Sequence, residues 1–122
     1  MANKVFIGVE SFDEMARRAR ETARRMDAGE RVPEADYYLN FSSAAHLFSE
    51  LTPARLALLE LLKSEGPLTI YALAKCLERN YSNVHGDAQK LLKHELIAKD
   101  AEGRLYVPWD EIQIHLSLCT AA

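Results

Sequence analysis

Only three residues, Glu78-Arg79-Asn80, separate two stretches with helical apolar spacing, and this short link constrains the chain more than any other feature. Before it, Thr69 is placed to cap a helix in which Ile70, Leu73, Ala74 and Leu77 follow the i, i+3, i+4, i+7 pattern. After it, Val84, Ala88, Leu91 and Leu92 recur along a helix predicted from about Tyr81 to Glu95. Two amphipathic helices joined so tightly read as a helix-turn-helix unit. A third, strongly apolar helix precedes them. Thr52 caps it, Pro53 fills its first position, and Leu56, Leu58, Leu59, Leu61 and Leu62 carry it to a stop at Gly66-Pro67.

The segments that follow read as strands. Leu96 to Asp100 and Arg104 to Pro108, turned at Ala101-Glu102-Gly103, are expected to form a two-stranded hairpin, the position of a wing. Ile112, Ile114, Leu116 and Leu118 alternate with polar residues and predict one more half-buried strand after a bend at Pro108-Trp109-Asp110. At the N-terminus, Lys4 to Val9 reads as a strand. Ser11 and Glu14 offer a capping box for a helix whose Phe12, Met15, Ala16, Ala19, Ala23 and Met26 keep helical spacing up to Gly29. The connector Arg31-Val32-Pro33-Glu34 leads to an aromatic strand over 36–41, then to a short helix capped by Ser42 or Ser43 that reaches Leu51. The expected fold is α+β, mainly α: a winged helix-turn-helix domain with its C-terminal strand over residues 52–118, preceded by a strand-helix-strand arm over residues 1–51 that docks on a dimer mate or a partner.

At 122 residues the chain suits one ordinary core. It lacks any apolar run long enough to cross a bilayer, and its N-terminus lacks the pattern of a secretory signal, so a cytoplasmic setting is expected. Cys76 and Cys119 stand far apart and read as reduced, partly buried thiols. His46, His85, His94 and His115 have no metal-ligand spacing, and no phosphate-binding glycine loop occurs, so neither metal, cofactor nor catalysis is expected. The net charge of −3 speaks against a general affinity for nucleic acid. Basic and acidic residues balance at eight each over 52–110, however, so a DNA-facing surface would be a local patch on a neutral domain.

That patch can be located. With Val84 at the centre of the buried side and 100° per residue, the opposite face of the last helix holds Ser82, Asn83, Gly86, Gln89, Lys90 and Lys93, bordered by Tyr81 and His85. Asn and Gln pair bidentately with adenine, while Ser, Tyr and Lys hold the backbone. Any solvated helix face is polar; what favours DNA is the order of capped helix, tight link, polar helix and charged hairpin. Lys99 and Arg104 would project from the hairpin toward a minor groove. Thr69, Tyr71 and Arg79 are placed to touch phosphates.

The run Leu73-Ala74-Lys75, Tyr81-Ser82-Asn83-Val84-His85, Gln89-Lys90-Leu91-Leu92 and Leu96-Ile97, followed by Gly103-Arg104 and Val107-Pro108-Trp109-Asp110-Glu111-Ile112, resembles a family of small prokaryotic MarR-like winged-helix proteins. The likeness extends to the N-terminal arm. It implies a DNA-binding regulator and, as in some members, the antitoxin of a toxin–antitoxin pair; the function expected of this chain is that of an autoregulating repressor. The chain departs from that family at Gly86, where the resemblance leads one to expect a charged residue, commonly Arg.

Double-stranded DNA and a second copy of the chain are therefore the expected partners, with a cognate toxin as a further one. The alternative is a protein-interaction module that neutralises a partner enzyme and whose DNA binding is weak or lost. The dimer or partner surface is expected at the strand Val5-Phe6-Ile7, at Arg17, Arg20 and Arg24 on the first helix, and at Ile112, Ile114 and Leu116. Arg17 and Glu21 have the spacing of a solvated i, i+4 pair.

Overall fold

The structure, a computed structural model, describes residues 3–9, 12–30, 37–116 and 118. It is α+β and mainly helical. The order is β1 (Lys4–Val9), α1 (Phe12–Asp27), β2 (Tyr37–Phe41), α2 (Ala44–Glu50), α3 (Pro53–Glu65), α4 (Ile70–Leu77), α5 (Tyr81–Lys93), β3 (Ala98–Lys99), β4 (Leu105–Tyr106) and β5 (Glu111–His115). Two compact units result, one of residues 48–109 and one of residues 1–47 with 110–122.

In the helical unit, side-chain caps set the helix starts. Thr52 accepts a hydrogen bond from the Arg55 amide at 3.2 Å, Thr69 from the Ala72 amide at 3.1 Å, and Asn80 from the Ser82 amide at 2.8 Å. The core they enclose is aliphatic: Leu58, Leu59 and Leu62 of α3, Leu73 and Ala74 of α4, and Val84, Ala88 and Leu91 of α5 are buried, joined by Leu96, Ile97, Leu105 and Val107. The predicted wing is shorter than expected. Only Ala98 and Lys99 pair with Tyr106 and Leu105, and Leu68, which precedes α4, bridges Leu105 from the other side. The last helix ends at Lys93, not Glu95, because Glu95 takes φ 61°, a left-handed conformation that reverses the chain.

The other unit differs from the sequence-based expectation. Its sheet has the order β2-β1-β5, with both neighbours parallel to β1. The C-terminal strand, assigned above to residues 52–118, therefore belongs with the N-terminal segment, pairing Val5 with Ile112 and Ile7 with Ile114. It ends at His115 instead of Leu118. Partner strands on both sides also make β1 central, with Val5 and Ile7 fully buried, so Val5-Phe6-Ile7 offers no edge to a second molecule.

α1 forms as expected and stops before Gly29 at φ 83°, with Asp13 and Glu14 in its first turn and Arg24 and Arg25 in its last, matching the helix dipole. Its stripe is only partly covered: Met15 and Ala16 are half-buried, while Ala19, Ala23 and Met26 are exposed. Ser43, not Ser42, caps α2, accepting from the His46 amide at 3.1 Å. Ser11, the connector from Arg31 to Glu34, Asp36 and Cys119 lie outside the described residues. Cys76 is an exposed free thiol, contrary to the partly buried one expected. Among the described residues no helix is long and apolar enough to cross a membrane.

Candidate functional site

α5 is two-faced. Val84, Ala88 and Leu91 point into the core, and Tyr81, Ser82, Asn83, His85, Gly86, Gln89, Lys90 and Lys93 are all exposed, as the 100° periodicity predicts. At its N-terminal end the rings of Tyr81 and His85, one turn apart, stack with centroids 6.0 Å apart and an interplanar angle of 26°. Nothing lies within 4 Å of the position a Gly86 side chain would take, so no packing demand accounts for glycine there.

One residue of α5 belongs to neither face. Asp87 receives Nε of Arg55 at 3.0 Å on one oxygen and Nη2 of Arg79 at 2.8 Å on the other, with side-chain exposures of 14%, 16% and 29% for the three. This carboxylate ties α5 to α3 and to the link between α4 and α5. Arg55 continues the chain of charges, donating to the Glu50 carbonyl at 2.8 Å and approaching the Glu50 carboxylate at 3.8 Å, while Nε2 of His94 lies 3.2 Å from that carboxylate. The hydrogen bond from His94 holds the Glu50 carboxyl below its ordinary value, aided by the charges of His94, Lys90 and Arg55 against the cost of burial.

These pairings change the list of candidate contacts. Arg79, expected to touch phosphate, is spent on Asp87. Arg104, expected to project from the hairpin, pairs with Asp100 at 3.3 Å and with Glu102. Asp100 also accepts from the amides of Glu102 and Arg104, each at 2.9 Å, closing the turn that carries Gly103 at φ 80°. The Arg104 amide is the main reason its carboxyl sits below the ordinary range. Thr69 uses its hydroxyl oxygen as a cap, and Tyr71, two residues further on, is 69% exposed. Lys99 is exposed. The cations left facing solvent near α5 and the hairpin are thus lysines: Lys90, Lys93 and Lys99.

Sequence reasoning missed Arg55, Asp87, Glu50 and His94. The signal was there for one of them: Asp87 lies three residues from Val84 and one from Ala88, so an ionisable group was being carried toward the buried side and needed a partner. Among the residues proposed for a dimer or partner, Arg17 and Arg20 are exposed and Glu21 pairs with Arg24 in place of Arg17. Phe6 is half-buried between the rings of Tyr38 and His115. Ile112 is half-buried, whereas Ile114 and Leu116 are exposed. No group of three or more His, Cys, Asp or Glu side chains that could hold a metal occurs among the described residues.

A mainly helical α+β protein with a polar, lysine-bearing helix face braced from behind by one carboxylate is the class that this geometry defines. The chain belongs to the HVO_A0114 family, whose model matches residues 50–114, from the last residue of α2 into β5. No curated protein and no solved structure matches it.

Proposed function

We propose that the chain is a cytoplasmic, sequence-specific DNA-binding regulator of the winged-helix kind, an autoregulating repressor without catalytic activity or cofactor, with α5 as its recognition helix. The observation that carries this reading is the exposed row on α5, in which Asn83 and Gln89 are base readers and Tyr81, Ser82, Lys90 and Lys93 hold phosphates. Lys99 is the groove or phosphate contact of the hairpin. Arg79 acts through Asp87 as a positioning residue, and Arg104 fixes the turn.

Fluorescence anisotropy with the DNA upstream of the gene tests it. Binding should weaken as salt rises, and replacing both Lys90 and Lys93 by Ala should weaken it on every sequence and flatten the salt slope by about 0.9 per lost phosphate contact. Asn83→Ala should instead relax sequence preference, at about 1–3 kcal/mol on the preferred site. A protein that binds no DNA at low salt overturns the reading.

The exposed Arg17 and Arg20 of α1, together with the loss of Arg79 and Arg104 to internal pairs, favour a second reading, a module that binds and neutralises a partner enzyme such as a cognate toxin. Co-purification with the product of the adjacent gene, abolished by Arg17→Glu with Arg20→Glu, would support it over the first.

A further inference from the structure

We infer that the outer edge of β5 is the seat of a symmetric dimer, in which β5 pairs antiparallel with β5 of a second copy, centred on Gln113, to give a continuous six-stranded sheet. The inference does not rest on DNA binding.

The sheet has two outer edges. At β2, Tyr37, Leu39 and Asn40 are half-buried and Phe41 is buried, while Tyr38, the exposed member, lies under the Arg18 guanidinium at 4.8 Å from its ring centroid. At β5 no strand pairs with the outer side among the described residues, and exposed apolar side chains collect there: Ile114 at 44%, Leu116 at 37% and Leu118 at 84%. An edge of this kind, with free backbone donors and acceptors beside apolar side chains, is a template for another strand.

Symmetry selects the occupant's direction. A two-fold axis through the edge sets two identical strands antiparallel and closes the assembly at two copies, whereas β5 against β2 of the next copy would be head-to-tail and leave edges open. Register then follows from the strand itself. β5 has five residues with Gln113 at its middle, and pairing about that residue uses all of them. Glu111 faces His115 of the partner subunit, and the symmetric contact repeats the pair. Ile112 faces Ile114 of the partner subunit, and Gln113 faces its own copy. The pleat keeps these sets apart. Glu111, Gln113 and His115 share the face of Lys4, Phe6 and Gly8, and the isoleucines share the face of the buried Val5 and Ile7. An acid therefore opposes a histidine twice, and the exposed Ile114 gains a cross-strand apolar neighbour on the face that already forms core.

Sedimentation equilibrium of the full chain at micromolar concentration should give a dimer. With Cys76 and Cys119 replaced by Ser, Gln113→Cys should form an intermolecular disulfide on mild oxidation faster than either Glu111→Cys or Ile114→Cys, because only position 113 meets itself across the axis. His115→Glu should weaken the dimer about tenfold by setting like charges opposite one another, and adding Glu111→Lys should restore it. A monomer under these conditions overturns the inference, as does a dimer that cross-links at Ile114→Cys in preference to Gln113→Cys. So does a dimer indifferent to His115→Glu. The cross-linking result guards against a merely misfolded charge variant.

Discussion

The two units hold together by contacts of opposite range. In residues 48–109, helices that neighbour one another in sequence share an aliphatic core, each begun by its own cap at Thr52, Thr69 or Asn80. In the other unit the central strand is completed by a strand from the far end of the chain, with Asn3 donating its amide to the Asp110 carboxylate at 3.0 Å and the Asp110 amide returning to the Asn3 carbonyl at 2.8 Å. Buried large side chains are plentiful in the first and scarce in the second, where Val5, Ile7, Phe41 and Leu47 supply them among the described residues. The first is a core with a polar working face; the second is a small sheet with an apolar edge to spare.

The contrast can be broken most directly by truncation. Leu91→Ala, at a fully buried position of α5, should cost about 2–5 kcal/mol in urea unfolding, whereas Ile114→Ala on the exposed edge should leave monomer stability within about 0.5 kcal/mol. Equal losses would mean that the sheet unit is as tightly packed as the helical one.

Two glycines sharpen the picture within the helical unit. A Cβ at Gly66 would lie 2.5 Å from the Leu62 carbonyl oxygen and 3.1 Å from a Leu62 methyl, so Gly66→Ala should destabilise by about 1–3 kcal/mol. Next in size is Asp87→Ala, which strands Arg55 and Arg79. With all three groups partly solvated, the loss should be about 1–2 kcal/mol, seen as a lower midpoint of thermal unfolding. Gly86→Ala has the opposite sign. Its side chain meets open space on a helix, and it should stabilise by about 0.5–1 kcal/mol in the same measurement.

The smallest effect is one of pH. Glu50 has its folded pKa below its unfolded value of 4.5, so its contribution is fully present above that value and is lost as the pH falls through the lower, folded one. Stability measured from neutral pH down into that acid range should fall less steeply for Glu50→Gln than for the parent chain. An identical slope would show that the pair with His94 does not form in solution.

The sequence by itself determined what depends on near neighbours. The caps at Thr52 and Thr69, the helix start near Tyr81, the break after Glu65 and the two faces of α5 were all legible, because a cap or an apolar stripe is written within a few residues and acts through the adjacent turn. The exposed half of the candidate site was legible for the same reason. Tertiary structure decided the rest. Alternation at Ile112 and Ile114 marks a strand but carries no address for its mate, so the parallel pairing with β1, and with it the central place of Val5-Phe6-Ile7, had no local signature. Charges behaved likewise: Arg55 and Asp87 are 32 residues apart in sequence and meet only because α3 packs against α5, while the path of the link between α4 and α5 brings Arg79 to the other oxygen of the same carboxylate. An ion pair depends on distances of a few ångströms between chain segments, and those distances are set by how the core closes, after the local choices have been made.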